Sequence, residues 1–465
     1  MLFNSFVFLV LFLPVTYTVF WLLRNAQQRY IWLAITGYVF YGYWNPKFCL
    51  LMAFSTLVSY TAGLGFLKYA DNARARKLCL VLPVTVDLLL LGFFKYANFA
   101  LRSIGDLSTL TGHPIAVAHF DIVLPIGISF YTFHTISYIV DSYRKTIKPT
   151  RNFFEFAAYV SLFSQLIAGP IVRFRQIESD LDNLGTADRN RWLERGIRFF
   201  IIGLVMKVLI ADSLAAVVDP ALAHYATLST ADAWVAMLGY TFQLLFDFDG
   251  YSTMAVGLGF LFGLRIPQNF NSPYKSLDPS DFWKRWHISL SSCLRDYLYI
   301  SLGGNRNGVW KTYRNLMLTM LIGGLWHGAN WTFVVWGGYH GLLLCVHRLF
   351  SKQWDAAPAL LRRASMFLFA VIGWVFFRST DFHMAAVMLG RMFSYSSGSS
   401  GVVTVGAVAL LGFAAVWSMA GPNAFDMDAK WQPNRRHAFA LAAAFGACIA
   451  IMAGSGSSPF LYFQF

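Results

Sequence analysis

Asp281-Phe-Trp-Lys-Arg-Trp-His287-Ile-Ser-Leu-Ser291 and, further along, Leu325-Trp-His327-Gly-Ala-Asn330-Trp331 place two histidines in unlike company. The first lies in a basic, tryptophan-rich run. The second lies in a strongly apolar segment among Gly323, Gly324 and Gly328. An imidazole at membrane depth is costly unless it has a partner or a task. The fold therefore turns on whether the chain around these histidines is built for lipid.

Composition says that it is. Of 465 residues, 57% are hydrophobic and 13% charged, where a soluble domain carries about 25% charged residues. Mean hydropathy is +0.51. The 44 Phe, 22 Tyr and 15 Trp suit interfacial belts and lipid-facing surfaces. In such a chain a net charge of +14 reads as a topology signal in the loops rather than a nucleic-acid site. The five cysteines lack the spacing of a disulfide framework or zinc site. The first apolar run has no basic leader or small-residue cleavage site, and so reads as a retained span.

Apolar runs at 3–23, 30–44, 48–67, 78–99, 122–140, 153–172, 197–218, 234–264, 316–326, 331–349, 365–377, 402–420 and 437–453 predict roughly 11–13 spanning or re-entrant helices. The fold class is an all-α polytopic integral membrane protein, one domain over 1–465, without a fixed-period repeat. Arg24 and Arg29, then Lys68, Arg74, Arg76 and Lys77, then Arg144, Lys145, Lys148 and Arg151 mark cytoplasmic loops, and the 100–121 and 219–233 stretches fall outside. Both termini then face outside. The 153–172 run has basic flanks on both sides and ends Ala168-Gly169-Pro170; it reads as a re-entrant, broken helix. Pro125 and Gly127 predict a kink in the 122–140 helix. The 265–314 segment is too charged to span and reads as a cytoplasmic or re-entrant polar segment. In it Asp278-Pro279-Ser280-Asp281 predicts a helix start, with Trp283, His287 and Ser291 on one face.

Ten histidines are present. His134, His340, His347 and His383 sit in aromatic or apolar company and read as core or interface residues. Around His327, the glycines and Ala329 remove bulk, which lets a ligand or another backbone approach. Asn330 offers a donor and acceptor one turn away. A neutral imidazole there can serve as a general base; equally, small residues can simply let two helices pack. On the residues alone both readings stand. Asp247 and Asp249 point different ways on a helix and read as partners of a neighbouring Arg. No Walker, dinucleotide or serine-hydrolase motif is present, and no metal site is expected.

Together Leu124-Pro-Ile-Gly-Ile-Ser-Phe130, Leu166-Ile-Ala-Gly-Pro170, Phe246-Asp-Phe-Asp-Gly-Tyr-Ser252, Asn269-Phe-Asn-Ser-Pro-Tyr274, Asp281–Ser291, Leu294-Arg-Asp-Tyr-Leu-Tyr-Ile300, Gly303-Gly-Asn-Arg306, Gly323-Gly-Leu-Trp-His-Gly-Ala329 and Ser458-Pro-Phe-Leu-Tyr-Phe-Gln-Phe465 resemble the membrane-bound O-acyltransferase family. Within it, the resemblance is to the bacterial branch that O-acetylates exported polysaccharides such as alginate. Cys293 stands where that branch usually has a tryptophan, and Asp249 where it has a serine. The resemblance implies tilted helices in a ring around a funnel-like centre, with His327 as the intramembrane catalytic histidine and His287 as its more polar companion.

The expected donor is an acetyl thioester, acetyl-CoA, with no bound cofactor. Arg285, Arg295 or Arg306 would meet its phosphates, His327 would act as general base on the acceptor hydroxyl or as a transient nucleophile, and Asn330, Asn269 or a backbone N–H would stabilise the oxyanion. Trp283, Asp296, Tyr299, Asn305 and Trp326 complete the expected donor- and acceptor-binding set. The expected partners are the bilayer, a secreted or membrane-anchored esterase-like acetyltransferase, and an exported polysaccharide: alginate, cellulose or peptidoglycan. The 153–172 run and the aromatic 460–465 tail are candidate partner-docking surfaces. Two rival classes remain at this point. A transporter should show an inverted repeat, and none is visible. A structural subunit of an export complex would have no need of His327.

Overall fold

The fold comes from a computed structural model whose description covers residues 1–184, 186, 189–398, 401–455 and 460–461. Among the described residues the chain is helical with no strand. We label the helices that carry the argument α1 (Val7–Leu22), α2 (Ala26–Gly42), α3 (Lys47–Lys68), α4 (Ala73–Leu110), α5 (Ile128–Tyr143), α6 (Phe153–Ser161), α7 (Phe174–Asp182), α8 (Arg189–Ala223), α9 (Thr230–Leu261), α10 (Pro279–Arg285), α11 (Ile288–Cys293), α12 (Val309–His327), α13 (Trp331–Leu349), α14 (Ala359–Arg378), α15 (Phe382–Phe393), α16 (Val405–Ala420) and α17 (Arg435–Ser455). Helices α3, α4, α8, α14 and α17 are long and apolar enough to cross a membrane; α1, α15 and α16 are shorter apolar helices. Their outward side chains, among them Leu50, Leu82, Val405 and Phe439, are more than half exposed, which is stable against lipid and not against water.

The chain divides into two compact units. One comprises residue 1, 6–194 and 258–267. Its helices start on polar caps: Asn25, Asn72 and Asn152 accept backbone N–H groups of the first turns of α2, α4 and α6. The 153–172 run is broken as its composition predicts. Helix α6 stops at Ser161, and residues 155–174 are buried throughout, so the irregular backbone lies within protein. That burial removes most of this run as a docking surface; Phe153 and Phe154 at its start remain exposed. Pro125 and Gly127 do not kink α5 but precede it. Gly127 (φ +79°) is its N-cap, and a Cβ there would sit 2.7 Å from the Leu166 carbonyl oxygen. The two breaker-rich motifs thus pack on each other. Residues 100–110 extend α4 instead of forming a loop.

The second unit comprises 2–5, 195–257 and 268–465. Helices α8 and α9 meet through glycine: a Cβ on Gly203 would lie 2.4 Å from the Gly250 oxygen. One face of α9 carries Asp247, whose carboxylate takes Lys207 Nζ at 2.6 Å and the Leu461 N–H at 2.9 Å. The expected cationic partner is therefore a lysine rather than an arginine. Asp249 instead accepts the Thr253 hydroxyl at 3.2 Å. Helices α12 and α13 also pack backbone against backbone. Cβ atoms on Gly324 and Gly337 would lie 2.2 Å from the Phe333 and Met320 carbonyl oxygens.

Candidate active site

The site lies wholly in the second unit. Asp278 begins it by capping α10: its Oδ1 accepts the Asp281 N–H at 2.8 Å, with Pro279 in the first turn. The predicted single helix through Trp283, His287 and Ser291 does not form. Helix α10 ends at Arg285, Trp286 is extended, and His287 sits in the left-handed region (φ +44°, ψ +55°) as N-cap of α11. A non-glycine residue there is strained and persists only where its surroundings hold it. Here an extended segment does so. Asn271 N–H bonds the Arg285 oxygen at 2.9 Å, and Ile288 N–H bonds the Asn269 oxygen at 2.8 Å.

Asn269 also commits both ends of its amide. Its Oδ1 accepts from Ser289 N–H (3.2 Å) and Ser289 Oγ (2.8 Å), while Nδ2 donates to Ser252 Oγ at 3.1 Å. It therefore positions the His287 turn.

This turn fixes the chemistry of His287. Its Nδ1 accepts the Leu290 N–H at 3.3 Å, so in the neutral ring the proton is on Nε2. That Nε2 is buried with no protein partner. The residue lies outside the spanning helices, and burial pushes its imidazole down to about 3, which keeps it neutral at physiological pH. Phe248 meets its ring edge-on at 4.7 Å. A neutral Nε2–H donor with no internal acceptor is suited to a charge that appears only during reaction.

His327 ends α12, buried to 3% exposure, with its ring 6.3 Å from that of His287. Trp326, Trp336 and Phe377 surround it edge-on at 5.0–5.4 Å. The glycines around it divide between the two readings the sequence allows. Gly324 lets α13 approach, and Gly328 makes room for the Phe333 ring, where a Cβ would come within 2.2 Å. Gly323 lines a cavity. Asn330 is not one helical turn beyond His327, because the helix stops at Gly328. Its Oδ1 caps α13 at the Thr332 N–H (3.2 Å), and its Nδ2 holds the Thr380 oxygen at 2.7 Å. Both ends of the amide thus tie down backbone.

That cavity has a volume of about 350 Å³. Lys284 and Arg295 line it at exposed positions; Trp283, Ile288, Leu290, Leu294, Leu316, Met320 and Leu344 form an apolar wall; His327 and Trp336 lie at its buried end. Ser291, Ser292, Thr319 and Tyr299 add polar groups. Arg295 and Tyr299 come from a π-helical stretch, Leu294–Tyr299, a distortion common at functional sites. Arg295 is bonded to Asp296 at 2.7 Å, yet its side chain is 63% exposed.

Not every expected residue reaches the cavity. Arg285 is held by Asp281 (2.8 Å) and the Asn271 oxygen (3.2 Å). Asn305 and Arg306 are exposed on a glycine turn, which buried Asn315 ties down through the Leu302 and Gly304 oxygens at 3.1 and 2.9 Å. Trp326 contacts both histidine rings. His340 is fully buried among Phe282, Trp283 and Trp336, with neither ring nitrogen hydrogen-bonded among the described residues. The sequence reading missed Lys284. It adjoins Arg285 in the same basic run, and a rotation of about 100° per residue on α10 decides which of the two faces the cavity. It also missed Phe248, whose alternation with Asp247 and Asp249 was the available signal.

The chain belongs to the membrane-bound O-acyltransferase family, whose model matches residues 141–381. It is thus a multi-pass membrane acyltransferase. Among its relatives, a Pseudomonas aeruginosa protein named "Probable alginate O-acetylase AlgI" is 48% identical over 401 residues, which cover 85% of this chain and 76% of that protein. The peptidoglycan O-acetyltransferase of Helicobacter pylori is 38% identical over 428 residues, 84% of this chain and 80% of its own. The teichoic acid D-alanyltransferase of Bacillus subtilis is 29% identical over 282 residues, 56% of this chain and 69% of its own.

Proposed function

We propose that the protein takes an acetyl group from acetyl-CoA on the cytoplasmic face of a bacterial inner membrane and passes it toward an exported polysaccharide, alginate or a close analogue. The cavity that joins Lys284 and Arg295 to His327 carries this reading. Cations at exposed positions suit the donor's phosphates, and an apolar wall suits its pantetheine arm and acyl group. The names of the relatives favour alginate as the polymer and sugar hydroxyls as the acceptor chemistry.

In the step itself, His327 removes the proton from the acceptor hydroxyl as its oxygen attacks the thioester carbonyl. The Nε2–H of His287 donates to the oxyanion. As the tetrahedral intermediate collapses, the carbon–sulfur bond breaks, the thiolate takes the proton from His327, and the ester remains on the acceptor. Both histidines return to their starting states. Periplasmic termini, and a secreted or membrane-anchored esterase-like partner that receives the acetyl group and delivers it to polymer, complete the proposal.

The test is reconstitution in liposomes with acetyl-CoA labelled in the acetyl group, with polymer, and with or without the partner. Label should reach polymer only when the partner is present, with stoichiometric release of free CoA thiol. Efficient labelling of polymer by this protein alone would remove the need for a partner. No label transfer and no thiol release in the full mixture would remove acetyl-CoA as donor.

A further inference from the structure

In the first unit, a second cleft of about 430 Å³ opens where α3, α4 and α5 end or begin. Phe66 and Leu67 form one wall, and Arg76, Lys145 and Lys148 bring positive charge, with Glu178 as the acid among its lining residues. The cleft is held rigidly. Arg76 donates to the Tyr143 oxygen at 2.8 Å and to the Phe66 oxygen at 3.4 Å, which ties the last turns of α5 and α3 together. The Lys145 and Thr146 N–H groups return to the Ser142 and Asp141 oxygens at 3.2 and 3.0 Å, with Lys145 at φ +60°. The backbone at Lys145 is thereby set in a left-handed turn at the end of α5, a conformation that residues with side chains rarely adopt. On their outer faces α3 and α4, the helices that lead to this basic rim, expose Leu57, Leu78 and Leu82 by 51–65%, the surface expected against acyl chains.

We propose that this cleft binds the headgroup of an anionic phospholipid, with the phosphate between Lys145, Lys148 and Arg76 and the acyl chains along α3 and α4. Basic pockets between membrane helices on the cytoplasmic side suit such headgroups, and the loops at 68–77 and 144–151 are the ones whose charge assigns them to that side. The occupant is a lipid rather than free phosphate because the cleft opens at the ends of α3 and α4, two helices apolar enough to cross a membrane whose outer faces expose leucine. Glu178 opposes an anion, so its charge and those of the lysines should act with opposite sign. The inference is independent of the acyl-transfer reading.

The experiment titrates the full-length protein in neutral detergent, at low salt, with short-chain phosphatidylglycerol, short-chain phosphatidylcholine or inorganic phosphate, and reads affinity by native mass spectrometry. Phosphatidylglycerol should bind at least about tenfold tighter than phosphatidylcholine. Each cation near an anionic lipid contributes about fivefold, so Lys145→Gln/Lys148→Gln should weaken phosphatidylglycerol binding by about 25-fold and leave phosphatidylcholine binding and the melting midpoint unchanged. Glu178→Gln should tighten it. Equal affinity for the two lipids, or an unchanged affinity in the double variant, would overturn the proposal. Inorganic phosphate that binds as tightly as phosphatidylglycerol would overturn the lipid as the occupant.

Discussion

Replacement of Gly324 by alanine tests how His327 is held. The new Cβ would lie 2.2 Å from the Phe333 oxygen and 3.1 Å from the Gly337 Cα and N. A carbon–oxygen contact rests at about 3.3 Å, so α12 and α13 must part by about 1 Å. These neighbours are backbone, which has no rotamer to yield. His327 lies three residues further along the same helix, at its last position, and moves with it. Overpacking of this kind costs about 1–3 kcal/mol of stability, and a 1 Å misplacement at a reacting centre costs about 10²-fold in rate. Gly338→Ala is the control, since its Cβ would meet only Leu321 Cδ2, at 3.3 Å. Polymer acetylation should be measured in cells and in liposomes, beside the melting midpoint of the purified protein. Gly324→Ala should remain folded with acetylation down about 100-fold, and Gly338→Ala should be near wild type. A Gly324→Ala protein within twofold of wild type would refute the idea that backbone contact between these helices sets the histidine.

Asn269→Ala leaves Ser289 and Ser252 without their buried partner, a cost of about 1–3 kcal/mol; kcat should fall while KM for the donor changes little, and a change confined to KM would contradict its role in positioning His287. Ser291→Phe fills the cavity from its wall, so KM for acetyl-CoA should rise severalfold with the melting midpoint held; an unchanged KM would show that the donor does not use this cavity. Lys207→Met strands the buried Asp247 carboxylate and should destabilise the second unit by about 3–5 kcal/mol. Adding Asp247→Asn should recover part of that loss in a thermal melt, and a double variant less stable than the single one would contradict the pairing.

What the sequence allowed, and what it concealed, is clearest at particular residues. Helix α10 was legible at its start because Asp278 and Pro279 act locally, through a cap bond and a fixed φ. Its end was not. Nothing in Arg285-Trp286-His287-Ile288 breaks a helix; the break is imposed by bonds to Asn269 and Asn271, which belong to a different segment. Both histidines were visible from their company, but the tautomer of His287 depends on that imposed turn. The end of α12 could have been read from Gly328, a residue type that commonly terminates helices, and Asn330 would then have been placed as the next cap. A cation for Asp247 was predictable on cost alone, whereas its identity as Lys207 rests on the packing of α8 against α9. The tail fared differently again: Phe460 and Leu461, expected as a docking surface, are buried at 1% and 5% exposure, with Phe460 stacked on Tyr251 at 4.8 Å. The remainder of that tail, 462–465, lies outside the described residues.

The central claim, that His327 is the base of the acyl-transfer step, meets its most direct test in single-turnover transfer from labelled acetyl-CoA in liposomes, with His327→Ala and His287→Ala beside the wild type. A general base contributes about 10²–10⁴-fold, so His327→Ala should lose at least 100-fold in rate with expression and melting midpoint intact, while His287→Ala should be severely slowed but retain measurable turnover. Transfer by His327→Ala at a rate near wild type would contradict the account.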